Sequence, residues 1–180
     1  DEGKHVRFRN IRIKTTNLTR SPWDEIHVVN FLPNMLTEQE KRKGVKLLWD
    51  GKTTNGWRGA CKEKFPEKGW EIKEGALNVV KDSEGESQYG GDILTEDEYS
   101  AFDLQFEFKL TQGAESGVKY FVTESKNNRG AATGLEYQIL DDEKHPDAKQ
   151  GVVGNRTLAS LYDLIPSLKI KRGLHKVGEW

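Results

Sequence analysis

Gly134-Leu135-Glu136-Tyr137-Gln138-Ile139-Leu140-Asp141-Asp142-Glu143-Lys144-His145 changes pattern half-way. Its first half alternates. Successive side chains of an extended chain point to opposite faces, so Leu135, Tyr137 and Ile139 share one side and Glu136, Gln138 and Leu140 the other. That pattern predicts a half-buried strand with a polar face. The second half puts three carboxylates and a histidine into five residues. A strand running into such a cluster can mount acid–base chemistry on a rigid element. The same run also fits a solvated loop, with Asp141 fixing a turn through its side chain.

Outward from this stretch the signals stay β. Phe102-Asp103-Leu104-Gln105-Phe106-Glu107-Phe108-Lys109-Leu110 is the cleanest alternation in the chain. Val118-Lys119-Tyr120-Phe121-Val122 follows the turn at Gly113 to Gly117. Gly69-Trp70-Glu71-Ile72-Lys73, the turn Glu74-Gly75 and Ala76-Leu77-Asn78-Val79-Val80 read as a hairpin. Shorter strands are expected at Val45–Trp49, around Trp57 and at Asp92–Thr95, with loops at 85–91 and 127–130. Short strands between Gly, Asn and Asp turns predict an all-β antiparallel sandwich or barrel.

The first 43 residues differ. Val6, Phe8, Ile11 and Ile13 alternate, with a one-residue slip at Arg9-Asn10 that predicts a bulge. Residues 16–43 read as a linker. Trp23, Ile26, Val28, Val29, Phe31, Leu32 and Met35 form an apolar patch there without clean period. Thr37 with Glu40 makes a capping box that opens a short helix to about Lys43.

Composition narrows the function classes. A formal net charge of −1 over 180 residues offers no basic face, so nucleic acid is not an expected partner. No apolar run approaches the length of a membrane span. The lone Cys61 excludes an internal disulfide and a cysteine-based zinc site.

Leu48-Trp49-Asp50-Gly51-Lys52-Thr53-Thr54-Asn55-Gly56-Trp57-Arg58 resembles the opening of the 3-keto-disaccharide hydrolase family. Further stretches resemble that family in the same order: Gly91-Asp92-Ile93-Leu94-Thr95 with Tyr99 and Phe102; Ser116-Gly117-Val118-Lys119-Tyr120-Phe121; Gly134 to Asp142; Leu161-Tyr162-Asp163; and Gly178-Glu179-Trp180. The resemblance covers about residues 44–180. His5-Val6-Arg7-Phe8-Arg9-Asn10-Ile11 resembles the family's closing strand, but here it precedes the domain. The expectation is a tandem protein. Residues 1–15 would be the closing strand of a preceding jelly-roll copy, 16–43 a linker with a short helix, and 44–180 an incomplete second copy. A preceding copy would then be an intramolecular partner.

The resemblance implies a concanavalin A-like jelly roll of two stacked sheets, secreted or periplasmic, in glycan-degrading bacteria. It also implies cleavage of glycosides already oxidised at C3. A C3 ketone acidifies the C2 proton, so a base can remove it while the C1 substituent departs, and water then adds to the enone. Such a site needs a base, a donor or metal at the enolate oxygen, and an acid at the leaving oxygen. Glu136 is expected as base or metal ligand, and Gln138 as a group that orients the sugar. Asp141, Asp142 and His145 are expected to supply acid–base groups, substrate contacts or a divalent-cation site. Oxygen ligands suit calcium or magnesium, and adding His145 to Glu136 and Asp141 suits a transition metal. Lys119 and Arg156 are expected to bind hydroxyls or the enolate, and Tyr162 to stack or donate.

Each of these has a plainer alternative. Tyr162 and Trp57 fit core or rim aromatics, and Lys119 fits a solvated strand face. Glu115 stands where the family often has Asn, which bears on specificity. Retaining glucanases of this fold often carry Glu-x-Asp-x-x-Glu on one strand, whereas Gln138 puts an amide in the second acid's place. The non-enzyme alternative is a carbohydrate-binding jelly-roll module. A third is a docking role for a degenerate copy, through the Trp23–Phe31 patch.

Overall fold

The computed structural model describes residues 5–18, 30, 32–80, 90–125, 131–168 and 176–180. The elements in chain order are β1 (Val6–Lys14), α1 (Glu38–Arg42), β2 (Val45–Leu47), β3 (Trp57–Gly59), β4 (Trp70–Lys73), β5 (Ala76–Val79), β6 (Ile93–Thr95), β7 (Asp103–Leu110), β8 (Glu115–Glu124) and β9 (Ala132–Leu140). A 3₁₀ turn covers Pro146–Lys149. All strand pairs among the described residues are antiparallel. This is the antiparallel β class expected, consistent with a jelly-roll sandwich. Residues 85–89 of the expected 85–91 loop, the 127–130 loop and most of the Trp23–Phe31 patch lie outside the described residues.

The largest sheet is built around β1. Along one edge β1 pairs with β7 from Val6↔Leu110 to Lys14↔Asp103. Its other edge is shared: Val6–Phe8 meet β5 and Arg12–Lys14 meet β2. β4 extends the sheet beyond β5, through a hairpin whose Glu74 and Gly75 both have positive φ. The N-terminal strand thus pairs into one sheet with strands of the 44–180 segment.

The slip at Arg9-Asn10 is a bulge. The register against β7 shifts between Arg9 and Arg12, and Asn10 takes φ +53°. Asparagine tolerates that left-handed conformation better than most residues. The bulge is tied down by reciprocal bonds: Asn10 N–H donates to Asn34 Oδ1, and Asn34 N–H donates to Asn10 Oδ1. Glu40, in the Thr37 capping box, accepts from the buried Arg12 at 2.9 Å. The 32–43 segment is thus docked on β1.

Val6, Phe8, Ile11, Trp49, Leu77, Leu110, Ala114 and Ile139 make the buried cluster. Ile139 belongs to β9, so the β8–β9 pair packs its apolar face toward the large sheet. Phe106 and Tyr137 meet edge-on at 6.1 Å across this contact. The opposite face of β8–β9 carries the polar side chains.

Candidate active site

Register decides which polar side chains meet. β8 and β9 pair Lys119↔Glu136, Gly117↔Gln138 and Glu115↔Leu140. Directly opposed residues of an antiparallel pair share a face. Glu115, Gly117, Lys119, Glu136 and Gln138 therefore lie on one side. Lys119 Nζ reaches Asp92 Oδ2 at 2.8 Å, and the same oxygen accepts Ala132 N–H at 2.9 Å. Asp92, just before β6, thus fixes the lysine that faces Glu136.

Gly117 makes room for the Glu136 carboxyl. A Cβ at position 117 would collide with Glu136 Oε1 and stand 2.7 Å from its Cδ and Cγ. A strand glycine often marks such a close approach. Gly117→Ala is expected to destabilise by about 1–3 kcal/mol through overpacking. Adding Glu136→Ala should remove most of that loss, read as a non-additive double-mutant cycle in urea unfolding.

Burial pushes the Glu136 carboxyl above its ordinary value. Lys119 pulls it back, while Glu115 and Asp92 add to the rise. Glu136, Lys119, Glu115, Asp92 and His145 border one cleft of about 1170 Å³. His145 is half-buried, and its Nδ1 accepts Asp147 N–H at 3.3 Å. An accepting Nδ1 puts the neutral ring's proton on Nε2.

The other expected site residues sit elsewhere. Gln138 is fully buried and does not border the cleft. Residues 159–162 pair along the free edge of its strand: Gln138 N–H donates to Ser160 O, Ala159 N–H to Gln138 O and Tyr162 N–H to Glu136 O. Its side chain reaches Glu115 Oε1 at 3.4 Å. Asp142 Oδ1 accepts Leu158 N–H at 2.7 Å, tying the acidic loop to the next one. Arg156 bonds Asp163 and Asp147 and lies over the Tyr162 ring at 5.4 Å. Those two carboxylates hold its guanidinium above its ordinary range. The Tyr162 phenol is pushed up to about 12 by burial, then by the Asp147 carboxylate. Arg156 and Tyr162 form a cluster beside β9, outside the cleft lining.

Asp141 is a turn residue. Its Oδ2 accepts the buried Gly113 N–H at 2.7 Å, and its Oδ1 accepts Glu143 and Lys144 N–H at 3.0 and 3.3 Å. Asp141→Ala is expected to cost about 2–4 kcal/mol, because backbone donors lose their acceptor. Asp141→Asn, which keeps one oxygen, should cost less in the same thermal unfolding series. Among the described residues no three His, Cys, Asp or Glu side chains gather as a metal set. Glu136, Asp141 and His145, expected as a ligand set, do not form such a group.

Residues 44–180 match the family model for the 3-keto-alpha-glucoside-1,2-lyase-like domain. The chain belongs to that family. It is 38% identical over 148 residues to a 3-keto-disaccharide hydrolase of Bacteroides thetaiotaomicron, covering 76% of this chain and 50% of that protein. The chain thus spans about half the length of this curated relative. A solved structure from Parabacteroides distasonis, assigned as a glycosyl hydrolase, superposes with a TM-score of 0.60 at 26% identity. That match covers 82% of this chain and 65% of the other.

Asp92 and Glu115 were not among the site residues expected from sequence. Asp92 lies within the Gly91–Thr95 motif that carried the family resemblance, which was the available signal. Glu115 lies five positions before Tyr120 on β8, and only the β8–β9 register brings it to the Glu136 face.

Proposed function

We propose that this protein cleaves glycosides already oxidised at C3, by elimination followed by hydration, with Glu136 as the base. The observation that carries this reading is a half-buried glutamate that borders a cleft opposite a lysine and over a glycine. Its raised pKa brings the carboxyl nearer to neutral, where a general base works best. Family membership and the name of the Bacteroides relative support the same chemistry.

In the first half-reaction Glu136 takes the C2 proton. The C2–H electron pair forms the C1–C2 double bond, and the C1–oxygen bond breaks with its electrons on the leaving oxygen. His145 Nε2–H is the proton donor proposed for that oxygen. Negative charge gathers on the C3 oxygen as the C2 proton leaves. Lys119 spends one ammonium proton on Asp92 and keeps others for that oxygen. In the second half-reaction water adds at C1 and a proton returns to C2. The sum is hydrolysis of the glycosidic bond with the ketone retained. No step passes through a metal. A secreted or periplasmic setting, where glycans are met, belongs to the same proposal.

The test mixes the protein with a 3-keto-glucoside and with its unoxidised parent, with and without chelator, and follows release of the leaving group. Cleavage of the keto substrate alone, unchanged by chelator, is the expected result. Sugar binding without cleavage of either would overturn it in favour of a carbohydrate-binding module. Loss of cleavage on chelation would overturn the metal-free route.

A further inference from the structure

We infer that Phe121, backed by Phe102, is the wall of a leaving-group subsite that stacks on the flat apolar face of a ring. This inference rests on the proposed function and names what that site accepts beyond the oxidised sugar.

The argument begins with the bulge in β8. Pairing with β9 slips between Tyr120 and Thr123, so the 121–122 stretch on β8 is opposed by Gly134 alone. A Cβ at Gly134 would lie 2.7 Å from Val122 Cγ1 and 2.9 Å from Tyr120 O, so the bulge and the glycine go together. Phe121 is the residue that absorbs the distortion, at φ +52°. An aromatic residue is an unusual occupant of that left-handed conformation, where Gly or Asn would sit at less cost. Strain of this kind tends to gather at ligand sites.

The strained residue is also an exposed one. Phe121 keeps 63% of its surface open to water. It borders the same cleft as Glu136 and Lys119, two positions along the strand from the lysine. Phe102 borders that cleft too, its ring tilted 56° to that of Phe121 with centroids 6.4 Å apart. The Tyr120 ring meets that of Phe121 edge-on, with centroids 5.5 Å apart. Phe121 thus has two aromatic neighbours and still keeps most of its surface open. Aromatic faces take planar rings in offset or edge arrangements and also gain from apolar burial.

Two leaving groups have that chemistry: an aryl ring and the C–H face of a pyranose. A methyl group has neither. The test compares 3-keto-glucosides carrying phenyl, glucosyl and methyl leaving groups. The unoxidised parents are titrated in parallel by ligand-observed NMR. Phe121→Gly and Phe121→Asn suit the φ at this position, so both variants are expected to fold.

The expected result is a kcat/KM preference for a ring over methyl that falls about 10-fold in both variants. The unoxidised ring glycosides should show a matching loss of binding. Whether phenyl or glucosyl benefits more identifies which of the two the wall serves. Cleavage with the same ring-to-methyl ratio in wild type and both variants would overturn the subsite and leave the proposed function standing. Ring-selective binding that depends on Phe121, without cleavage of any keto substrate, would uphold the subsite and overturn the elimination chemistry. No ring preference in either readout would overturn the subsite outright.

Discussion

A chain that lacks residues 1–15 is expected to show no cooperative thermal unfolding, although the family match begins only at residue 44. β1 is bonded along both edges, so its removal separates β7 from β5 and β2. It also removes Val6, Phe8, Ile11 and Ile13 from the core, all of them buried. At roughly 1.5–3 kcal/mol per buried side chain the loss is about 6–12 kcal/mol. That equals most of the roughly 5–15 kcal/mol that holds a domain together. Adding residues 1–15 back as a peptide is expected to restore strand signal in circular dichroism, since the peptide carries a full set of pairing partners. The milder Phe8→Ala should cost about 3–5 kcal/mol and leave the transition cooperative. A truncated chain that melts cooperatively near the wild-type temperature would show that β7 and β5 close on each other without β1.

β1 also shows where sequence reading stops. The slip at Arg9-Asn10 was visible because a bulge breaks a period-two pattern within a few residues. Its partners were not visible, because Phe8 meets Phe108 a hundred positions away, and periodicity carries no information about who pairs with whom. The same limit applied at the site. Alternation in 134–140 correctly put Glu136 and Gln138 on one face. It could not show that residues 159–162 pair along the other edge of β9, or that the glutamine is fully buried while the glutamate stays on the cleft. Asp141 had two readings with the same local pattern, catalytic acid and turn anchor. What separates them is the Gly113 N–H, delivered from a turn 28 residues earlier. Lys119 likewise had two readings, a substrate contact and a solvated strand residue, and neither named Asp92, its ion-pair partner.

Glu136→Gln is expected to abolish cleavage of the keto substrate while leaving the fold intact or more stable at neutral pH. Losing a general base costs typically 10²–10⁴-fold in rate, and glutamine has nearly the same shape. The stability side follows from the direction of the pKa shift. Burial, the largest influence, raises the folded-state value above the ordinary 4.5. Between those two values the native state binds more protons than the unfolded chain, so stability falls as pH rises through that interval. Above it the half-buried carboxylate is ionised at a cost, offset in part by Lys119. Glutamine carries no charge to desolvate. The variant should therefore gain on wild type at pH 7, and the gain should vanish as pH falls below about 4.5. Activity follows the same ionisation in the opposite sense. The ascending limb of kcat/KM for wild type should lie above the ordinary carboxylate range, because only ionised Glu136 accepts the C2 proton. Urea unfolding across pH, set beside a pH–rate profile, reads both. An ascending limb at or below 4.5, or a variant that keeps activity within about tenfold of wild type, would remove Glu136 from the base's role. Glu115 would then be the nearest carboxylate on the same face to test.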